Sequence, residues 1–356
     1  MSRFFSETHQ ALRPYTPGEQ PRDMKYIKLN TNESPFPPTP RALEMARAAA
    51  ERENLYSDPA CTDLRAALAE RYSVLPENVI CTNGSDEVLY FAFMAFCDEK
   101  TGAAFPDITY GFYSVFADLC RIPYVKIPLE EDFTVDIKKY FGIGKTVLLA
   151  NPNAPTGIAL SPSAIEEVLQ NNPDNVVVVD EAYVDFGAES AIPLTEQYEN
   201  LLVTGTFSKS RSMAGARLGF GIASRALIAD LEALRYSTNP YNVNSVTMAM
   251  GVGTLKDDAL IRERCATVAD VREQTAEKLR AMGFVLTESK ANFLFAKHPA
   301  LDGGEVYRAL RERGILVRHF DAPRIKDYNR ITVGDSAQMQ ALVSALSEIL
   351  AQKGYV

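Results

Sequence analysis

Three runs of the chain, TVLLA at 146–150, NVVVVD at 175–180 and NLLVTGT at 200–206, each hold three or four apolar residues in unbroken succession. They lack the alternation of a strand with one wet face, and they are too short and too rich in β-branched residues for buried helices. Segments with apolar residues three and four apart separate them. A strand buried on both faces needs helices above and below its sheet. The alternation therefore predicts an α/β fold with a mainly parallel central sheet flanked by helices.

The helical pattern starts near Arg41, with RALEMARAAAERE and CTDLRAALAERY. Before it, RPYTPGEQP and ESPFPPTP hold proline-fixed, turning backbone, so residues 1–40 read as an ordered arm and entrance strap. Residues 41–243 form the expected large domain. From about Asn244 long helices run through Met282, followed by FVLTE, ANFLFAK, the helix GGEVYRALRERG, GILVRHF, RITVGD and the amphipathic AQMQALVSALSEILAQK. That order predicts a smaller α+β C-terminal domain over 244–356, and the length allows each domain its own core.

A net charge of −9 disfavours a nucleic-acid surface and leaves room for a local basic pocket around a small anion. The five cysteines and three histidines show no metal-binding spacing, so no metal is expected. The first residues lack the apolar centre of a secretory signal, and no run is long enough for a membrane span; the expectation is a cytoplasmic protein. Two glycine signals fail on inspection. In GIGKT the earlier glycine of a phosphate loop is replaced by Lys139, and in GFGIAS Ser224 replaces the third glycine of a dinucleotide fingerprint, leaving a segment that reads as strand.

Four segments carry chemistry: NPNAPTG at 151–157, DEAYVDF at 180–186, TFSKS at 206–210 and AGARLGF at 214–220. In that order and spacing they resemble the fold-type I pyridoxal 5′-phosphate (PLP) enzymes, in particular their aminotransferase subgroup, over nearly the whole chain. PLP requires a lysine for its aldehyde, an acid at the pyridine nitrogen, an anion site for the phosphate and a flat partner for the ring. Lys209, between two serines just past a strand, stands at the carboxyl edge of the sheet. Asp180 ends the run VVVV at the same edge, where a carboxylate favours the protonated pyridine nitrogen.

The resemblance implies further roles. Tyr183 would bond the ring phenolate oxygen, while Arg217, Thr206 and Ser208 would hold the phosphate together with Gly84, Ser85 and Asp86 at the opening of an apolar helix. Tyr110 matches the aromatic that stacks on the ring, with Tyr113 close enough to compete. The subgroup usually carries asparagine directly before Pro-Thr-Gly, donating to the phenolate oxygen. Here that position is Ala154, and Asn153 is the nearest substitute.

More segments resemble the histidinol-phosphate aminotransferase family: KLNTNESPFPPTP, with Asn32, Glu33 and Pro35; RPYTPGEQ, with Tyr15; LYSDPACTDLRAALA, with Tyr56; and GILVRHF and NRITVGD, with Arg318 and Arg330. The resemblance implies transfer of an amino group from L-histidinol phosphate to 2-oxoglutarate, with Lys209 moving the proton. Tyr15, Asn32, Arg318 and Arg330 would meet substrate, and Tyr56 would reach the phosphate of a neighbouring subunit, which makes a homodimer with shared active sites. Aromatic amino acid aminotransferases and threonine-phosphate decarboxylase share many of these motifs. A PLP-binding transcription regulator is disfavoured, because the sheet motifs begin too early to leave room for a DNA-binding domain.

Overall fold

The computed structural model describes residues 2–10 and 12–355. Its strands, in chain order, are β1 (Ile27–Lys28), β2 (Val79–Thr82), β3 (Ala103–Pro106), β4 (Tyr124–Ile127), β5 (Thr146–Ala150), β6 (Val177–Asp180), β7 (Leu201–Thr206), β8 (Gly219–Ala223), β9 (Val285–Leu286), β10 (Phe293–Lys297), β11 (Ile315–Leu316), β12 (Arg318–His319) and β13 (Asn329–Thr332). Seven of them form the central sheet in the order β2-β8-β7-β6-β5-β3-β4, with β8 alone running against the rest. The three apolar runs are the neighbouring strands β5, β6 and β7. The strand reading of GFGIAS holds as β8.

Successive residues of these strands feed two separate cores. Val147, Leu149, Val177, Val179, Leu201 and Val203 pack with Leu64 and Leu68 of helix Thr62–Tyr72 and with Ile165 and Leu169 of helix Pro162–Gln170. Leu148, Val178 and Leu202 face the other way, onto Val88 and Phe91 of helix Ser85–Phe96 and Leu231 of helix Arg225–Thr238. Side chains cap the surrounding helices where the sequence turns: Ser161, Ser224, Asn244, Asp302 and Asp335 each accept a backbone N–H from the first turn.

The smaller sheet has the antiparallel order β12-β13-β10-β9, and Leu294 and Ile331 pack there against Leu279, Leu342 and Leu346 of the last long helices. Two features of its boundary differ from expectation. Within the arm, β1 pairs with β11 and Leu29 enters the smaller core, so the strap is part of that domain's structure. Helix Ser245–Lys256 places Val252 and Leu255 in the large core, and the packing changes along helix Asp258–Ala281, where Ala276 and Leu279 belong to the small one. The change of domain therefore comes a helix later than 244. Among the described residues no helix is long and apolar enough to cross a membrane.

At the start of β8 the sheet meets a helix end with no room to spare. A Cβ added at Gly219 would lie 2.2 Å from the Ser85 nitrogen and 2.3 Å from the Gly84 carbonyl carbon. These are backbone atoms, so the start of helix Ser85–Phe96 must shift. Gly219→Ala is expected to lower stability by about 1–3 kcal/mol, the usual cost of overpacking, read as a lower denaturant midpoint. An unchanged midpoint would show that this helix start moves freely.

Candidate active site

Ala150, Asp180 and Thr204 lie side by side in the register of β5, β6 and β7. Because the strands are parallel, the loops after them leave the same sheet edge and converge on one cavity of about 220 Å³. Pro152 and Ala154 reach it from the first loop, Ala182 and Tyr183 from the second, Ser208 and Lys209 from the third. Ser85, Asp86, Tyr110, Thr206 and Arg217 complete the large-domain wall; Tyr15 and Asn32 come from the arm, Arg318 and Arg330 from the smaller sheet.

Lys209 Nζ donates to the Thr31 carbonyl at 3.0 Å and lies 5.8 Å from the Tyr183 ring centre. Enclosure by protein, helped by the positive charge of Arg330, lowers its pKa to about 8. Near neutral pH about a tenth is then a neutral amine, far more than for an ordinary lysine, and this is the form that attacks an aldehyde or takes a proton. The chain on either side is fixed. Ser208 N–H donates to Thr206 Oγ1 at 3.1 Å, and Arg211 Nη1 donates to Asp185 Oδ2 at 2.8 Å.

Asp180 is 5% exposed and accepts from Tyr113 Oη at 3.1 Å and Thr204 Oγ1 at 3.2 Å. Among the described residues no cation pairs with it, and burial raises its pKa to about 6. A buried carboxylate with only neutral donors is an incomplete arrangement that a protonated ring nitrogen in the cavity would complete.

The opposite end suits an anion. Arg217 Nη2 pairs with Asp86 Oδ2 at 3.2 Å, its Nη1 reaches Ser208 Oγ at 3.4 Å, and Tyr110 Oη donates to Asp86 Oδ1 at 2.8 Å. Ser85 opens its helix here, so unpaired backbone N–H groups add to the positive potential. Gly84 supplies clearance: at its φ of 81°, a Cβ would lie 2.7 Å from Arg217 Nη2. Deeper toward the smaller sheet, Arg330 Nη2 donates to the Asn30 carbonyl at 3.2 Å, and its Nε has no partner among the described residues. Arg318 donates to the Thr16 and Pro17 carbonyls at 3.0 and 3.3 Å, and Tyr15 stacks on Phe112 at 4.4 Å.

Three of the sequence-derived residues do not line this cavity: Gly84, which sits behind Arg217, Asn153 and Tyr56. Asn153 is 3% exposed, and its amide is used inside the loop: Nδ2 donates to the Ile108 carbonyl and Thr156 Oγ1, and Oδ1 accepts from Thr109 Oγ1. It therefore does not stand in for the asparagine missing at Ala154, which itself faces the cavity. Tyr56 is 84% exposed and stacks on Tyr241 at 4.6 Å, outside the cavity of its own chain. Sequence reasoning missed Thr31, Thr204 and the role of Tyr113. Tyr113 sits under Asp180 instead of competing with Tyr110, which it meets edge-on at 5.7 Å. The contact of Thr204 follows from strand register, which has no signature in a single sequence.

The family model described as aminotransferase class I and II matches residues 24–346. The histidinol-phosphate aminotransferase of Brachyspira hyodysenteriae is 44% identical over 98% of this chain and 99% of its own length. That of Marinomonas sp. is 47% identical over 98% of this chain and 100% of its own. Among solved structures, histidinol-phosphate aminotransferase from Sinorhizobium meliloti in complex with pyridoxal-5′-phosphate has a TM-score of 0.89 at 24% identity, covering 99% of both chains, a likeness of fold. L-threonine-O-3-phosphate decarboxylase from Porphyromonas gingivalis is likewise similar in fold, with a TM-score of 0.79 at 22% identity over 91% of this chain and 99% of its own.

In the protein without bound cofactor, the raised pKa of Asp180 means that the folded state holds a proton more tightly than the unfolded chain. Stability from this group is then lost as pH rises from about 4 to about 6 and stays lost above. Asp180→Asn should make cofactor-free protein more stable than the parent at pH above 7, by up to roughly 3 kcal/mol, with the gap closing toward pH 4. Denaturant midpoints at both pH values check it. A gap of the same size at both would remove burial of the charge as its cause.

Proposed function

The chain belongs to the class I and II aminotransferases, and from that premise we propose that it transfers the amino group of L-histidinol phosphate to 2-oxoglutarate, giving imidazole acetol phosphate and L-glutamate. The observation that carries the substrate reading is the pair Arg318 and Arg330 on the wall of the cavity that holds Lys209. Histidinol phosphate has no carboxylate, so its phosphate is the handle by which it is oriented. A guanidinium fork grips phosphate and carboxylate alike, which lets the same arginines receive the oxo acid in the second half of the reaction.

Bound on Lys209, PLP supplies an electron sink for the substrate carbon that loses its proton. The protein's own groups do the rest. Asp180 would supply negative charge to the ring nitrogen, and a cation there would favour its ionised form against the effect of burial. Arg217, Ser208, Thr206 and the N–H groups at Ser85 and Asp86 fit the cofactor phosphate. Tyr110 fits a ring face. Released when the substrate amine takes its place on the cofactor, Lys209 Nζ would take the proton from the amine-bearing carbon and return it on the other side of the transfer. Tyr15, stacked on Phe112, and the Thr16–Pro17 backbone on Arg318 cover the entrance and limit access of water.

The aromatic aminotransferase and decarboxylase alternatives are not favoured, since the full-length relatives at 44% and 47% identity carry the histidinol-phosphate name. We read the protein as a cytoplasmic homodimer. Five free cysteines suit a reducing compartment. Tyr56 stands beside exposed Leu55 and Tyr241, an apolar patch that suits a second copy, where Tyr56 would reach the phosphate end of the partner's cavity.

Arg318→Ala should lower kcat/KM for histidinol phosphate about ten- to a hundredfold, the loss of one charge-assisted contact, while lowering that for phenylalanine much less. Comparing both substrates in one variant separates phosphate recognition from the arginine's hold on the arm. A wild-type preference of about tenfold or more for phenylalanine or tyrosine would overturn the substrate reading. For the shared site, mixing inactive Lys209→Ala subunits with Tyr56→Ala subunits should restore part of the activity, because each hybrid then has one site free of both lesions. Absence of recovery in verified hybrids would place Tyr56 outside the catalytic site.

A further inference from the structure

Ala154 leaves the cavity without the amide that the subgroup usually brings before Pro-Thr-Gly, and Asn153 has none to spare. An amide does reach the same region from the strap. Asn32 Nδ2 lies 3.0 Å from Tyr183 Oη. Thr332 on β13 decides which end of that amide faces the tyrosine. The Asn32 backbone N–H donates to Thr332 Oγ1 at 2.9 Å, and the threonine hydroxyl donates to Asn32 Oδ1 at 3.0 Å. Oδ1 is thereby the accepting end and Nδ2 the donating end.

The arrangement is dry and rigid. Asn32 and Thr332 are 1% and 2% exposed, and Asn292 Nδ2 donates to the Asn32 carbonyl at 3.0 Å. Asn32 has φ of 56°, left-handed backbone that asparagine tolerates better than most residues. A phenol has one proton. With Tyr183 Oη accepting from Asn32, that proton is free to be given into the cavity beside Lys209.

We propose that Thr332 and Asn32 form a directional relay that fixes Tyr183 as a hydrogen-bond donor to the phenolate oxygen of the cofactor, the donor that remains where Ala154 stands for the asparagine. Asn32, which its motif suggested for substrate binding, is then a positioning residue, and so is Thr332. The relay rests on the reading that PLP is carried on Lys209. It runs from the smaller sheet through the strap to the loop after β6, so the electron demand of the cofactor depends on how the two domains are joined.

A donor on the phenolate oxygen draws off the negative charge that holds the proton of the neighbouring lysine nitrogen, and so lowers the pH at which that proton leaves. The charged groups around Tyr183 and Lys209 are Arg330 on β13, Asp180 on β6, Asp86 on its helix, Arg217 before β8 and Glu33 in the strap. None of them is altered by substitution at Thr332.

The test follows the loss of the yellow absorbance of the holoenzyme with rising pH. Thr332→Val should move the midpoint up by about half to one pH unit, the size of one net hydrogen bond, whereas Thr332→Ser should leave it in place. Asn32→Gly, which suits the positive φ, should act like Thr332→Val and serves where the valine variant does not fold. In a Tyr183→Phe background neither change should add a shift. Borohydride reduction of the parent should fix the cofactor to a peptide containing Lys209. Colourless protein, or label on another lysine, overturns both the cofactor reading and the relay. Yellow protein labelled at Lys209 whose midpoint ignores Thr332→Val and Asn32→Gly, or shifts equally without the Tyr183 hydroxyl, overturns the relay alone.

Discussion

The hydrogen bonds that Tyr113 and Thr204 give to Asp180 hold a carboxylate at the one point where β6 stops being apolar on both faces. Val177, Val178 and Val179 are fully enclosed, so no polar chemistry is possible along the strand, and all of it is pushed to the end. The same constraint acts on β5 and β7, and because they are parallel neighbours their polar ends fall together. Lys209 and Asp180 meet at the cavity because three strands exclude water to the same depth. The sheet keeps both groups away from their preferred ionisation, with the lysine toward neutrality and the aspartate toward protonation. That cost in stability is what leaves them ready for a charged, proton-exchanging ligand.

The arm joins these parts across the domain boundary. Glu19 accepts from Tyr307 and Arg311 on the smaller domain, Tyr15 stacks on Phe112 of the large one, and Arg318 reaches back to the Thr16 and Pro17 carbonyls. In the reaction proposed above, Arg318 would receive substrate charge, and the same guanidinium is a fastening for the entrance, which would link occupancy of the cavity to the order of the arm.

Much of this was legible in the sequence because it is local. Apolar runs without alternation gave the parallel layer, and the spacing of Asp180, Tyr183, Lys209 and Arg217 gave the residues that line the cavity. What escaped depends on pairing between distant segments. Nothing in GFGIAS announces that β8 runs against its neighbours, and the parallel pairing of β1 with β11 needs partners nearly three hundred residues apart. Asn153 is the instructive case. Its position beside Ala154 suggested a substitute donor, but a side chain one residue along a tight loop points elsewhere, and its amide closes the loop on Ile108 and Thr109. The donor that does reach Tyr183 comes from Asn32, which no local spacing connects to it.

The strap meets the site largely through its main chain. The Asn30 carbonyl receives Arg330, the Thr31 carbonyl receives Lys209, and the next residue sends its amide to Tyr183, while Leu29, 1% exposed, pins the segment in the smaller core. Carbonyl oxygens are the same whatever side chain they belong to. What the site reads here is therefore the length of the strap more than its spelling: a change of residue at Thr31 keeps the acceptor, whereas one residue inserted between Leu29 and Asn32 moves every contact out of step at once. Substitution is cheap at Thr31, whereas the side chains of Leu29 and Asn32 are held in the smaller core and against Tyr183, and insertion or deletion is closed to the whole stretch.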